Sequence, residues 1–170
     1  MAILKVAMMG NPVLRRKAAA IKDPLHPDVQ RLIDEMTDTM KEYSGVGLAA
    51  PQVHTSLRVV IIEAVKGSNA TAPMPLLNAT FEPLSQQKAE DWEGCLSIND
   101  MRGLVPRFRH IGVKATDRKG KALEFEATEF HARVIQHELD HIDGVLYLDR
   151  MKDFGSLTHM AEWQKYGLKR

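Results

Sequence analysis

The chain has a single cysteine, Cys95, so no internal disulfide braces it, and that thiol is left as a buried small hydrophobe, a nucleophile or a metal ligand. All three suit a reducing compartment. No stretch approaches the ~18 consecutive apolar residues of a membrane span. The opening segment "MAILKVAMMGNPVLRRKA" lacks the apolar run and small-residue cleavage site of an export signal. A cytoplasmic protein with no membrane partner is expected. Neither sign of charge is in excess: 23 Lys and Arg against 22 Asp and Glu leave a formal net charge of +1. The basic residues are scattered, which removes the electrostatic basis for a sequence-specific nucleic-acid surface. Repeats, low-complexity tracts and linkers are also missing, and 170 residues suit one compact domain spanning residues 1–170.

Several segments announce their structure. In "PDVQRLIDEMTDTMKEYSG" the residues Val29, Leu32, Ile33, Met36, Met40 and Tyr43 recur at helical spacing, with Pro27 at the start and Gly45 at the stop. The methionines and Tyr43 are expected in the core. "LRVVIIEAV" at 57–65 reads as a buried strand, and "HIGVKATDRKGKALEFEA" as a hairpin turning at "DRKG". A second helix runs through "EFHARVIQHELDHID", with Thr128 as its N-cap and Gly144 just beyond its end. "VLYLDRM" is expected to be a short strand, followed by a helix from about Ser156 with Leu157, Met160 and Trp163 on one face. The sum is an α+β fold: antiparallel β-sheets packed around a central metal-binding helix, with an N-terminal amphipathic helix and a C-terminal helix.

The metal assignment rests on "QHELDH" at 136–141. His137 and His141 are four residues apart, which brings both imidazoles to one side of a helix, one turn apart. Glu138 is rotated about 100° from His137, where it can work on solvent beside an ion without displacing a ligand. A catalytic site of this type takes three protein ligands. The downstream histidine or glutamate helix of the zincins is missing, which makes Cys95, in the loop "EGCLS", the leading third ligand. His26, His54, His110, His131 and His159 lack such spacing and are expected to be ordinary polar residues.

"GVGLAAPQ" at 45–52, "EGCLS" at 93–97 and "QHELDH", in that order, resemble the three signature motifs of the peptide deformylases. "NPVLRRKA" and "GVLYLDRM" extend the likeness along nearly the whole chain. The resemblance implies removal of the formyl group from the initiator methionine of nascent polypeptides. It implies Cys95, His137 and His141 as metal ligands and Glu138 as general acid and base. Gln52 and the Leu96 N–H would hold the formyl oxygen. Ferrous iron is the implied ion, with zinc, nickel or cobalt able to replace it. N-formylmethionyl nascent peptides are the implied partner, with transient ribosome contact. Val46 and Gly47 on one side and Gly94 on the other are the implied walls for an extended peptide. Helical spacing puts Phe130 and Val134 on the His137 side, as candidates to line a methionine pocket. Arg133 either borders that pocket or pairs with a carboxylate. Glu93 and Arg102 are implied structural partners near the cysteine loop, and Trp92, "SINDMRG" and Ala79 depart from the common family pattern. A small zinc peptidase and a purely structural metal site are the rival readings.

Overall fold

The computed structural model describes residues 2–64 and 72–166. The first helix, α1, spans Pro27–Glu42; Nδ1 of His26 accepts from the Asp28 N–H at 3.2 Å, and Pro27 starts the first turn. The helix stops because Ser44, rather than Gly45, turns left-handed (φ 52°), while the Gly45 N–H returns to the Met40 carbonyl at 2.9 Å. Val29, Leu32, Ile33, Met36 and Met40 are buried as the spacing predicts. Tyr43 is not: it follows the last helical residue, leaves the apolar face and is 47% exposed.

Among the described residues, eight strands follow the sequence order β1 (Gly47–Ala49), β2 (Val59–Ile62), β3 (Met74–Pro83), β4 (Lys88–Cys95), β5 (Ile98–Phe108), β6 (His110–Thr116), β7 (Ala122–Thr128) and β8 (Thr158–His159). They form two sheets, ordered β1-β2-β3-β6-β7 and β4-β5-β8, with each pair of adjacent strands antiparallel. The apolar run of β2 is buried on both faces, which is why it does not alternate with polar residues. Val59 and Ile61 join the α1 layer, whereas Val60 and Ile62 join the layer of α2, the helix Glu129–Ile142. The predicted strand is trimmed to Val59–Ile62, and Val65 lies outside the described residues. The β6–β7 hairpin turns where expected, since Oδ1 of Asp117 accepts from the N–H groups of Lys119 and Lys121, both at 2.8 Å.

The central helix α2 lies between the sheets. Ala132, Ile135, Leu139 and Ile142 pack on the five-stranded sheet, while every residue from Ala132 to Ile142 is buried. Thr128 occupies the cap position, but its hydroxyl makes no cap bond; the Glu129 N–H is instead taken by the Arg109 carbonyl at 2.8 Å.

Two expectations near the C-terminus change. "VLYLDRM" forms a 3-10 turn, Tyr147–Arg150, because the Asp149 carboxylate accepts from the Leu146 N–H at 2.8 Å and curls the chain. The last helix, α3, covers Met160–Tyr166 rather than starting near Ser156. Asp153 closes its own turn on the Gly155 N–H at 2.7 Å, and Thr158–His159 is taken up as β8.

Gly144 ends α2 in the left-handed region, φ +77°, and a Cβ there would lie 2.9 Å from the backbone of Arg15. Gly144→Ala therefore combines positive φ with a backbone clash and should destabilise the protein by about 1–3 kcal/mol. Denaturant titration should show a lower midpoint with an unchanged slope; a midpoint equal to wild type contradicts this account of the turn.

Candidate active site

Helix α2 carries His137 and His141 one turn apart, and β4 ends by delivering Cys95 opposite them. Nε2 of His141 lies 3.2 Å from the Cys95 Sγ and 3.2 Å from Nε2 of His137. The three ligand atoms all fall within 4.8 Å of one another, the one such group of three His, Cys, Asp or Glu side chains among the described residues. Burial alone lowers the affinity of His137 for a proton, but hydrogen bonds and charge from Cys95 and Glu93 outweigh it, so its pKa rises well above the ordinary value. His141 goes the other way: burial and the neighbouring His137 charge hold it well below. The two imidazoles are thus driven to opposite protonation preferences by the same crowding. A divalent cation fits the same donor set with more charge and without the crowding of two ring nitrogens.

Behind the site lies Glu93, on β4 two residues before Cys95. Oε2 of Glu93 bonds Nδ1 of His137 at 2.9 Å, and its two oxygens accept from Nε and Nη2 of Arg107 at 2.9 and 3.0 Å. Arg133 Nη1 adds a third partner at 2.7 Å. By occupying Nδ1, Glu93 directs the other ring nitrogen of His137 toward the ligand cluster. Burial would raise the Glu93 pKa, but the hydrogen bonds and charges of His137 and Arg107 together hold it well below the carboxylate range. Asp140 completes the network by pairing with Arg107 and with Arg150.

Glu138 has no such partners. Its Oε2 is buried without a hydrogen bond among the described residues, and burial pushes its pKa up to about 7, only partly opposed by the His137 charge. A carboxyl poised near neutrality suits proton transfer in both directions. The backbone of Gly47 runs so close that a Cβ there would collide with the Glu138 carboxylate. This is the close approach that the small residues of "GVGLAAPQ" permit. Gln52 is turned by a 2.8 Å bond from the Ala49 N–H to its Oε1, so its NH₂ faces the Cys95 Sγ at 3.4 Å and the Ser97 Oγ at 3.3 Å.

A cleft of about 430 Å³ opens over these groups. It brings together Val46, Gly47, Gly94, Cys95, Leu96 and Gln52 with the helix residues Phe130, Val134, His137 and Glu138; His141 sits beneath them, 1% exposed. Leu96 occupies the two-residue turn between β4 and β5. Arg133 does both things left open by the sequence: it lines the cleft and pairs with Glu93. Arg102 does not pair with Glu93. Strand alternation puts Gly103, Val105 and Arg107 on the buried face of β5, and Arg102 on the other, where its guanidinium lies over the Trp163 ring at 4.6 Å.

The other five histidines stand apart from the cluster. Sequence reasoning did not single out Arg107, Asp140 or Tyr147, and it placed Met160 only on the apolar face of a C-terminal helix. The only cue to Asp140 was its place inside "QHELDH". Tyr147 stacks on His137 at 6.2 Å and belongs to the turn that had been expected as a strand.

A thiol and two imidazoles converging beside a buried carboxylate is the layout of a metal-dependent hydrolase. The sequence matches the polypeptide deformylase family over residues 3–156. Peptide deformylase 1 of Bordetella pertussis is 45% identical over 157 residues, covering 89% of this chain and 88% of that protein. Peptide deformylase 2 of a Nostoc species is 39% identical over 168 residues, covering 96% and 94%. Among solved structures, the Met-Ala-Ser complex of the class I type b peptide deformylase from Acinetobacter baumannii superposes with a TM-score of 0.81 at 34% identity, over 88% of this chain and 100% of that one. The Thermotoga maritima peptide deformylase gives 0.83 at 32% identity, over 90% and 100%. The chain belongs to the peptide deformylase family.

Replacing Glu93 by Gln leaves Arg133 buried without a carboxylate and Arg107 with Asp140 as its one remaining countercharge, and should cost about 3–5 kcal/mol of stability at neutral pH. Because the folded pKa of Glu93 lies below its ordinary value of 4.5, the wild-type advantage is complete above that value and declines as pH falls toward the folded pKa. Urea titrations of both proteins at pH 7 and in acid should show the gap narrowing; a gap independent of pH contradicts the assignment.

Proposed function

We propose that this chain hydrolyses the formyl group from the initiator methionine of nascent polypeptides, with Cys95, His137 and His141 holding one divalent cation. The observation that carries the reading is the convergence of those three ligand atoms beside the orphaned, buried Glu138 carboxylate at the floor of an open cleft. The cation, when bound, polarises a carbonyl and acidifies water in its shell. The remaining work falls to the chain's own groups. Glu138 takes a proton from the attacking water and returns it to the departing methionine nitrogen, so formate and a free amine leave. The Gln52 NH₂, already turned toward the cluster by Ala49, and the Leu96 N–H donate to the formyl oxygen as it gains negative charge.

The substrate runs between the Val46–Gly47 edge and Gly94, with its methionine side chain against Phe130 and Val134. The Acinetobacter baumannii relative was solved with Met-Ala-Ser bound, which supports a peptide with an amino-terminal methionine as the ligand class. Ferrous iron is the proposed ion; zinc, nickel and cobalt suit the same thiolate and imidazole donors. No helix of the described residues is long and apolar enough to cross a membrane. Work on nascent chains in the cytoplasm, with transient contact to the ribosome, completes the reading.

Protein prepared anaerobically should release formate from formyl-Met-Ala-Ser and leave the unformylated peptide intact. Glu138→Gln should lower kcat by about 10²–10⁴-fold with metal content retained, whereas Cys95→Ala should lose the metal. Gln52→Ala should slow the chemical step by roughly a hundredfold with the ion still bound. Cleavage of internal peptide bonds instead of formate release would favour the peptidase reading, and full metal occupancy in Cys95→Ala would overturn the ligand set.

A further inference from the structure

The family match stops at residue 156, yet the chain beyond it returns to the cleft. Between the paired positions Gly94↔Arg102 and Cys95↔Ile98 the register shifts, so that Asn99, Asp100 and Met101 bulge out of the ladder. These residues line the outer end of the cleft. Strand β8 pairs with the edge of this bulge, His159 opposite Met101 and Thr158 opposite Arg102. Met160, the next residue, lines the cleft itself.

Helix α3 has seven residues, too few to be stable alone, so its position depends on the side chains that dock it. Met160 and Trp163 share one face at i, i+3 spacing. The Met160 Sδ accepts from Arg102 Nε at 3.1 Å, and Trp163 meets Trp92 edge-on at 6.1 Å while lying under the Arg102 guanidinium. Arg102 forms no ion pair with any carboxylate among the described residues, so its orientation depends on this aromatic and thioether clasp. The far wall of the cleft is thus built by a segment that contributes nothing to the ligand cluster. Arg102 of this wall pairs with Gly94, so a peptide held at the Gly94 edge passes beside it.

We infer that Thr158–Trp163 is a specificity element for the residues that follow the formylated methionine. Met160 contacts the peptide there, and Trp163 is a positioning residue that holds Arg102 in the wall. The inference rests on the deformylase reading above.

The test uses the full chain loaded with nickel and two substrates, formyl-Met-Ala-Ser and formyl-Met amide; only the first reaches the wall. Met160→Ala and Trp163→Ala should each reduce the ratio of kcat/KM for the tripeptide to that for the amide by about tenfold, chiefly through KM. Trp163→Phe, which keeps an aromatic face, should restore most of it. Binding provides a second readout, because the chain has 2 tryptophans and both stand at this wall: saturating Met-Ala-Ser should shift their emission, and methionine amide should not. If both substrates release formate but neither alanine variant changes the ratio and emission stays fixed, the inference is overturned while the deformylase reading stands. If neither substrate releases formate, that reading fails and takes the inference with it.

Discussion

The buried carboxylate of Glu93 is the contact on which the site depends. It sits between two guanidiniums and an imidazole, with side-chain exposure of 4%, and its partners come from two elements: Arg107 from β5, Arg133 and His137 from successive turns of α2. A charge so deep is costly to bury unless its partners surround it. Here the same bonds that offset that cost also orient the His137 ring toward Cys95 and His141. Helix position, strand position and metal chemistry are therefore one problem with one solution.

Around this contact the two faces of α2 divide their tasks. Ala132, Ile135, Leu139 and Ile142 close the core with β2 and its neighbours, and supply the nonspecific stabilisation. Arg133, His137, Glu138 and Asp140 are equally buried but polar, and most of them are held by partners on the three-stranded sheet. Glu138 is the exception, pressed against Gly47 with an oxygen left unbonded. The structure leaves one carboxyl oxygen of Glu138 unsatisfied at the cleft and surrounds the neighbouring carboxylates of Glu93 and Asp140 with partners.

The elements with a strong period were legible. Residues 29–40 placed their apolar side chains on one face of α1, and the hairpin at "DRKG" followed from alternation and Asp117. What failed was local sequence whose conformation is set by capture. "VLYLDRM" has the composition of a strand, but Asp149 draws the Leu146 N–H into a tight turn before any sheet edge can claim it. The residues from Ser156 read as helix, yet Thr158 and His159 are taken by β5. Tyr43 kept the helical spacing and missed the helix by one position.

By itself the sequence determined the spacing of His137 and His141 about Glu138, because four residues on a helix are one turn whatever surrounds them, and it supplied a single thiol to join them. The order of three short motifs was enough to indicate the family. Only the tertiary structure decided that Arg107 rather than Arg102 neutralises Glu93, since strand register and face are properties of pairing. The same holds for the C-terminal wall at Met160 and for the closeness of Gly47 to Glu138. These contacts join residues far apart in the chain, and no local pattern encodes which distant side chain will occupy the space.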